Sequence, residues 1–243
     1  MKPAELMEEA RRKRSLLCVG LDPSEEALPP AVWQGGLPTI EAYLRQVIEA
    51  TQPWALAYKF NVAFYERWGA AGWEVLSRLR AFLPASVLAI ADAKRGDIAY
   101  TSRAYAEAFF ERMGFEAVTV HPYLGWEALK PFWDWPDKWV FVLVRTTEAP
   151  PWQGQVWQEI ILSRPAASAQ IGWVWGAFYG AELKALRQLD PASWLLVPGL
   201  GAQGGQLPAG APLFPALVVV GRSLLKAPHT ASDWAAQTAS FLP

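Results

Sequence analysis

The sequence predicts an α/β protein of the (β/α)8, or TIM-barrel, class, and three observations carry that prediction. Eight short apolar runs recur along the chain with helically spaced segments between them, the alternation of parallel strands with crossover helices. The first run leads into Gly20-Leu-Asp-Pro, not into the Gly-x-Gly-x-x-Gly turn that an open doubly wound sheet places after its first strand. The length, 243 residues, suits one barrel-type domain with a large core.

In chain order, an amphipathic helix runs from Pro3 to Lys13 and ends in the basic tetrad Arg11-Arg12-Lys13-Arg14. Apolar runs bounded by glycine, proline or charge place strands at 16–21, 54–60, 87–91, 117–120, 139–144, 171–176, 194–197 and 217–220. Apolar residues returning every three or four positions place helices at 39–50, 62–82, 98–112, 126–132, 181–189 and 222–241. The spacing is poorest at 156–163, within a stretch, 146–170, broken by Pro150-Pro151 and Pro165. With no internal repeat, low-complexity tract or linker, residues 1–243 are expected to form a single barrel domain with a short N-terminal helix.

Composition narrows the function. A net charge of −1 argues against a nucleic-acid surface. No apolar run approaches the length of a membrane span, and the one after the basic tetrad is too short for a signal peptide, so a cytoplasmic protein is expected. The single cysteine, Cys18, cannot form an internal disulfide and is expected to be buried in the first strand.

The chemistry concentrates at Asp92-Ala-Lys-Arg-Gly-Asp-Ile. Because strand side chains alternate, Asp92 and Lys94 leave the third strand on one side, and Asp97 follows the flexible Gly96. Barrel active sites collect at the carboxyl ends of the strands. The other strand ends there carry Asp22, Lys59 with Asn61, His121, Arg145-Thr146-Thr147, the glycine-rich Gly199-Leu-Gly-Ala-Gln-Gly-Gly, and Gly221-Arg222-Ser223. Most are charged or glycine-rich, as a polar anionic ligand requires. Glycine loops after strands seven and eight, with a helix N-terminus and Arg222 beside them, form a phosphate cradle. Gln203 can reach the same phosphate, and the loop 199–210 is a candidate lid.

Two positions stay open on residues alone. Lys59 is either a snorkelling lysine of the barrel wall or a functional ammonium, and a Schiff-base role would need a depressed pKa. Asp22 is either a turn-capping residue or a ligand for hydroxyls. His121 receives no catalytic role, and His229, just past Pro228, is expected at the surface. No His, Cys or carboxylate set has metal-ligand spacing, and no Gly-x-Ser-x-Gly elbow occurs.

Five motifs together are similar to the orotidine 5′-phosphate decarboxylase family: Gly20-Leu-Asp-Pro, Lys59-Phe-Asn-Val-Ala-Phe-Tyr-Glu, Asp92-Ala-Lys-Arg-Gly-Asp-Ile, Val197-Pro-Gly-Leu-Gly-Ala-Gln-Gly-Gly and Val220-Gly-Arg-Ser. The resemblance runs from about residue 16 to 226. It implies decarboxylation of orotidine 5′-phosphate to uridine 5′-phosphate, the last step of pyrimidine nucleotide synthesis, with neither metal nor organic cofactor. It implies that Lys59, Asp92, Lys94 and Asp97 form a charged tetrad at C6 of the pyrimidine, with Lys94 protonating the carbanion left by CO2. It also implies ribose contacts from Asp22 and Lys59, phosphate contacts from Gln203, Gly221 and Arg222, and a pyrimidine contact from Thr147. Asp97 and Thr101 would come from the neighbouring subunit of a homodimer.

Two positions depart from the family pattern. The segment Thr146-Thr147-Glu148-Ala149-Pro150 lacks the expected Ser-Asn-Pro-Gly, and His121 stands where asparagine is expected. Two other readings share the barrel: a Mg²⁺-dependent sugar-phosphate decarboxylase, which would carry a carboxylate where Lys59 stands, and a non-catalytic nucleotide-binding barrel.

Overall fold

The structure, a computed structural model, describes residues 1–166, 170–201, 204–208 and 210–243. Eight parallel strands close into a barrel in sequence order: β1 (Leu17–Gly20), β2 (Ala57–Asn61), β3 (Leu88–Arg95), β4 (Ala117–Val120), β5 (Trp139–Arg145), β6 (Gln170–Trp175), β7 (Leu195–Val197) and β8 (Ala216–Val220). The register of β1 against β8, with Leu17 opposite Val218, completes the closure. Most strand residues are buried, as the apolar runs required, because helices cover the outside and side chains fill the inside.

Tyr58 shows how the alternation is used. Its hydroxyl donates to the Ile48 carbonyl at 3.0 Å, on the helix Gly36–Thr51, so Tyr58 faces the helical layer. Its neighbour Lys59 therefore faces the barrel interior. On β5 to β8 the interior positions nearest the carboxyl rim are Leu143, Val174, Leu196 and Val219, whereas the first four strands turn charged and hydroxyl groups inward. The barrel mouth thus has an apolar half and a polar half.

The N-terminal helix Pro3–Lys13 closes the opposite, amino-terminal end. Leu6 and Ala10 are buried, Lys13 Nζ donates to the carbonyls of Gln52 and Ala55, and Trp139 Nε1 donates to the Met1 carbonyl. No helix among the described residues is long and apolar enough to cross a membrane.

Several elements differ from expectation, each for a local reason. The strand expected at 87–91 continues through Asp92 and Lys94 to Arg95, with a register shift against β4 between Ala91 and Arg95. The helix expected over 62–82 is two, Ala63–Glu66 and Gly69–Phe82, because Gly69 takes a φ of 61° at the break. The last helix, expected as one, is Arg222–Lys226 and Ala231–Ala239, interrupted by Pro228. The helix expected near 156–163 begins earlier, at Pro151, because proline suits a first helical position.

Candidate active site

The polar half of the mouth is built around one buried ammonium. Lys59, 4 % exposed, donates from Nζ to Asp22 Oδ1 and Oδ2 at 3.2 and 3.0 Å and to Asp92 Oδ2 at 3.1 Å. Asp92 Oδ1 in turn accepts from Lys94 Nζ at 2.6 Å and from Thr119 Oγ1 at 2.9 Å. The groups form a chain of alternating charge, Asp22, Lys59, Asp92 and Lys94, across the ends of β1, β2 and β3.

Burial by itself lowers the proton affinity of the Lys59 ammonium, but Asp22 and Asp92 outweigh it and hold Lys59 above the ordinary lysine range. This excludes the Schiff-base role, which needs a depressed pKa. Burial also opposes ionisation of Asp92, yet Lys59 and Lys94 prevail and keep its carboxyl well below the usual carboxylate range. The Cys18 thiol, buried in β1, is pushed up by burial and is no nucleophile.

The geometry also removes one reading at each of the two open positions. Asp22 Oδ1 accepts from the backbone N–H of Asn61 at 2.9 Å as well as from Lys59, so its carboxylate reaches across to β2 and does not cap its own turn. Lys59 is held at both sides by carboxylates and does not snorkel to solvent.

Lys94 adopts a φ of 49°, the left-handed region, where a residue with a Cβ costs about 1–2 kcal/mol. Its backbone N–H donates to Thr119 Oγ1 at 2.9 Å. On the outer side, Arg95 ion-pairs with Glu66, donates to the Ala93 carbonyl at 2.9 Å, and lies over the rings of Tyr105 and Phe109. The motif that ends β3 and the motif that follows β2 are therefore joined through Arg95 and Glu66, and the strained Lys94 is tied down on both faces of the sheet.

These groups open into a cavity of about 1430 Å³. Across it stand Pro198, Gly199 and Leu200 after β7 and Gly221, Arg222 and Ser223 after β8. At Gly205 a Cβ would lie 2.6 Å from the Gly199 carbonyl oxygen, to which Gly205 N–H donates at 3.0 Å, so only glycine lets this loop fold on itself. Gly20 and Gly221 also approach closely, a Cβ at Gly20 falling 3.0 Å from Gly221 Cα. Arg222 has no carboxylate partner among the described residues, which leaves its guanidinium to an anion.

Thr147 and Asn61 also line the cavity. Asp97 and Thr101 do not. Asp97 Oδ1 accepts from the N–H of Ile98 at 2.7 Å, and Thr101 sits in the first turn of the helix Ala99–Ala106. Arg145, expected at the rim, is turned away to pair with Glu182 and stack on Tyr179 at 3.8 Å. His121 lies over Gly96, outside the cavity lining. Gln203 lies outside the described residues. Among the described residues no three His, Cys, Asp or Glu side chains stand together as a metal-ligand set.

Two contributors escaped the sequence. Thr119 was hidden in a four-residue buried strand, where its only signal was a hydroxyl interrupting an apolar run. Gln153, which also lines the cavity, lay in the stretch where helical spacing was poorest.

A family model described as orotidine 5′-phosphate decarboxylase / HUMPS family matches residues 15–236. The chain is 41 % identical over 224 residues to an orotidine 5′-phosphate decarboxylase of Dehalococcoides mccartyi, covering 86 % of this chain and 81 % of that one. It is 43 % identical over 246 residues to that of Thermomicrobium roseum, covering 90 % and 85 %. In structure it resembles the orotidine monophosphate decarboxylase of Leishmania donovani, with a TM-score of 0.80, 32 % identity and full coverage of both chains. It also resembles UMP synthase from the same organism, with a TM-score of 0.82 and 34 % identity over 98 % of this chain. The chain spans only 55 % of that longer protein.

Replacing Lys59 by methionine strands two carboxylates in the barrel mouth, and breaking such a buried pair costs about 3–5 kcal/mol. Asp92 is depressed in the intact protein, so its contribution is full above the unfolded carboxylate pKa of about 3.9 and fades as pH falls below it. Urea unfolding should therefore show the Lys59→Met deficit undiminished between about pH 5 and pH 7 and a smaller one at about pH 3, below the unfolded carboxylate pKa; a deficit that grows on acidification would contradict the pairing.

Proposed function

The chain belongs to the orotidine 5′-phosphate decarboxylase / HUMPS family, and from that premise we propose that it converts orotidine 5′-phosphate to uridine 5′-phosphate with neither metal nor organic cofactor, Lys94 supplying the proton. The decarboxylase members, carboxy-lyases of pyrimidine biosynthesis, are the relatives it matches at about 41 % identity over most of its length. The observation that carries the reading is the run of alternating charge Asp22, Lys59, Asp92, Lys94 facing the apolar half of the barrel mouth.

Losing CO2 from an sp² carbon with no electron sink leaves a localised anion. Stabilisation must then come from charges set in place beforehand where that anion develops. Lys94 Nζ, held 2.6 Å from Asp92 Oδ1, is a positioned ammonium of that kind, and its proton completes the product at C6. Asp92, kept ionised by two ammonium groups, repels a substrate carboxylate placed beside it, and departure of CO2 relieves the repulsion. Asp22 and Lys59 take the ribose hydroxyls. Gly221, Arg222 and the loop after β7, with Gln203, take the phosphate, so binding energy from a non-reacting group is spent at the reacting carbon. Thr147 contacts the pyrimidine.

The enzyme acts as a homodimer in this reading, with Asp97 and Thr101 completing the partner's site. Support comes from their surroundings: both lie outside this chain's own cavity, beside Ile98 and Tyr100, which are 59 % and 85 % exposed. A Mg²⁺-dependent sugar-phosphate decarboxylase would instead set a carboxylate at the end of β2, where the cationic Lys59 would repel a metal.

Purified protein should release CO2 from orotidine 5′-phosphate at an undiminished rate in excess EDTA; abolition by the chelator would favour the metal-dependent reading. Lys94→Ala should lower kcat by about 10³-fold or more while uridine 5′-phosphate still binds, and retention of most activity would remove Lys94 as proton donor. Arg222→Ala should raise KM for the phosphorylated substrate by about 10–100-fold and leave turnover of orotidine itself unchanged; equal losses on both would take Arg222 out of the phosphate site.

A further inference from the structure

We propose that Gln153 determines base specificity, its side-chain amide donating to the carbonyl at C4 of the pyrimidine. The proposal deepens the decarboxylase reading and rests on it.

The rim after β5 is where this chain lacks the expected Ser-Asn-Pro-Gly. Instead, Pro150-Pro151 turns the chain directly into the helix Pro151–Leu162, and Gln153 in its first turn reaches back to the strand end. Its Oε1 accepts from the Thr146 backbone N–H at 2.9 Å and from Thr146 Oγ1 at 3.1 Å. A backbone N–H can only donate, so the amide atom facing it must be the carbonyl oxygen. This chemistry fixes the orientation of the amide plane. The two N–H groups of Nε2 are therefore directed away from Thr146, and they meet no acceptor among the described residues. Gln153 is half-buried and lines the cavity with Leu143, Thr146, Thr147 and Val174.

The orientation of a bound nucleotide follows from the site itself. C6 must lie over Lys94 at β3, and the ribose phosphate on N1 must reach Arg222 after β8. In a pyrimidine C4 is para to N1, so the C4 edge is turned away from β8, toward the rim after β5. There the substrate presents a carbonyl acceptor, and the anchored amide offers a donor. A cytosine ring would present an amino donor at the same place, leaving two donors face to face.

Gln153→Glu separates this role from that of a strut. The carboxylate keeps the acceptor for Thr146 N–H but replaces the donor with an anionic oxygen. Calorimetric titration of the intact protein with uridine 5′-phosphate and cytidine 5′-phosphate reads the outcome. The wild-type protein should prefer the uridine nucleotide. Gln153→Glu should weaken it by about tenfold, the worth of one hydrogen bond, and move the uridine-to-cytidine ratio by more than that, because the cytosine amino group now meets an acceptor. Gln153→Met, which removes both functions, should lower the same ratio without improving cytidine binding. Binding of ribose 5-phosphate by both variants should stay at the wild-type level. A base ratio unchanged in both variants, even with lowered thermal stability, would show that Gln153 only braces Thr146 and would overturn the proposal alone. Failure of the wild-type protein to bind uridine 5′-phosphate would overturn the decarboxylase reading as well.

Discussion

Between Asp22 and Asp92 lies a lysine ammonium almost without access to water, and the rest of the site is arranged by that fact. An isolated buried ammonium would shed its proton, and two carboxylates so close together would not both ionise without a cation between them. The three groups therefore stabilise each other's charged forms. Asp92, ionised by this arrangement, holds Lys94 at the rim, and Asp22 takes the Asn61 N–H and so fixes the exit of β2. Charge preorganised in this way need not reorganise when an anion forms nearby, which is the condition electrostatic catalysis sets.

The division of the barrel mouth into a polar and an apolar half gives the site its polarity of action. On the side of β5 to β8, Leu143, Val174, Leu196 and Val219 offer no charge, so a flat ring can pack there without leaving groups unsatisfied. On the side of β1 to β4 the charges converge on one edge of that ring. The glycine-bearing turns after β7 and β8 bring Gly199, Gly221 and the cationic Arg222 to a third side.

Precision in such a site depends on the layer behind it. Lys94 is held in an unfavourable backbone conformation by Thr119 inside the barrel and by the fixing of its neighbour Arg95 outside it. Arg95 belongs to the same short motif as Lys94 but points the opposite way, into Glu66, Tyr105 and Phe109. One motif thus contributes both an ammonium at the rim and its own anchor, by the simple alternation of a strand.

Much was legible along the chain because it depends on near neighbours. The eight apolar runs had to be strands buried on both faces, and the charged or glycine-rich residues that ended them had to gather at one rim, which brought Asp22, Lys59, Asp92, Lys94 and Arg222 into a single list. Local chemistry also accounts for the helix breaks at Gly69 and Pro228, once read for conformation and not for apolar spacing alone. What no local pattern contained was the choice of partner. Arg145 and Arg222 both follow barrel strands, yet Glu182 and Tyr179 draw the first away from the cavity, while the second is left facing it. Thr119 and Gln153 became part of the site only through contacts with Asp92 and Thr146, and the Asp92 contact spans 27 residues of chain. The sequence by itself determined which side chains could be charged, buried or flexible. Only the closed barrel decided which of them meet, because a buried charge or donor must find its partner in space and not along the chain.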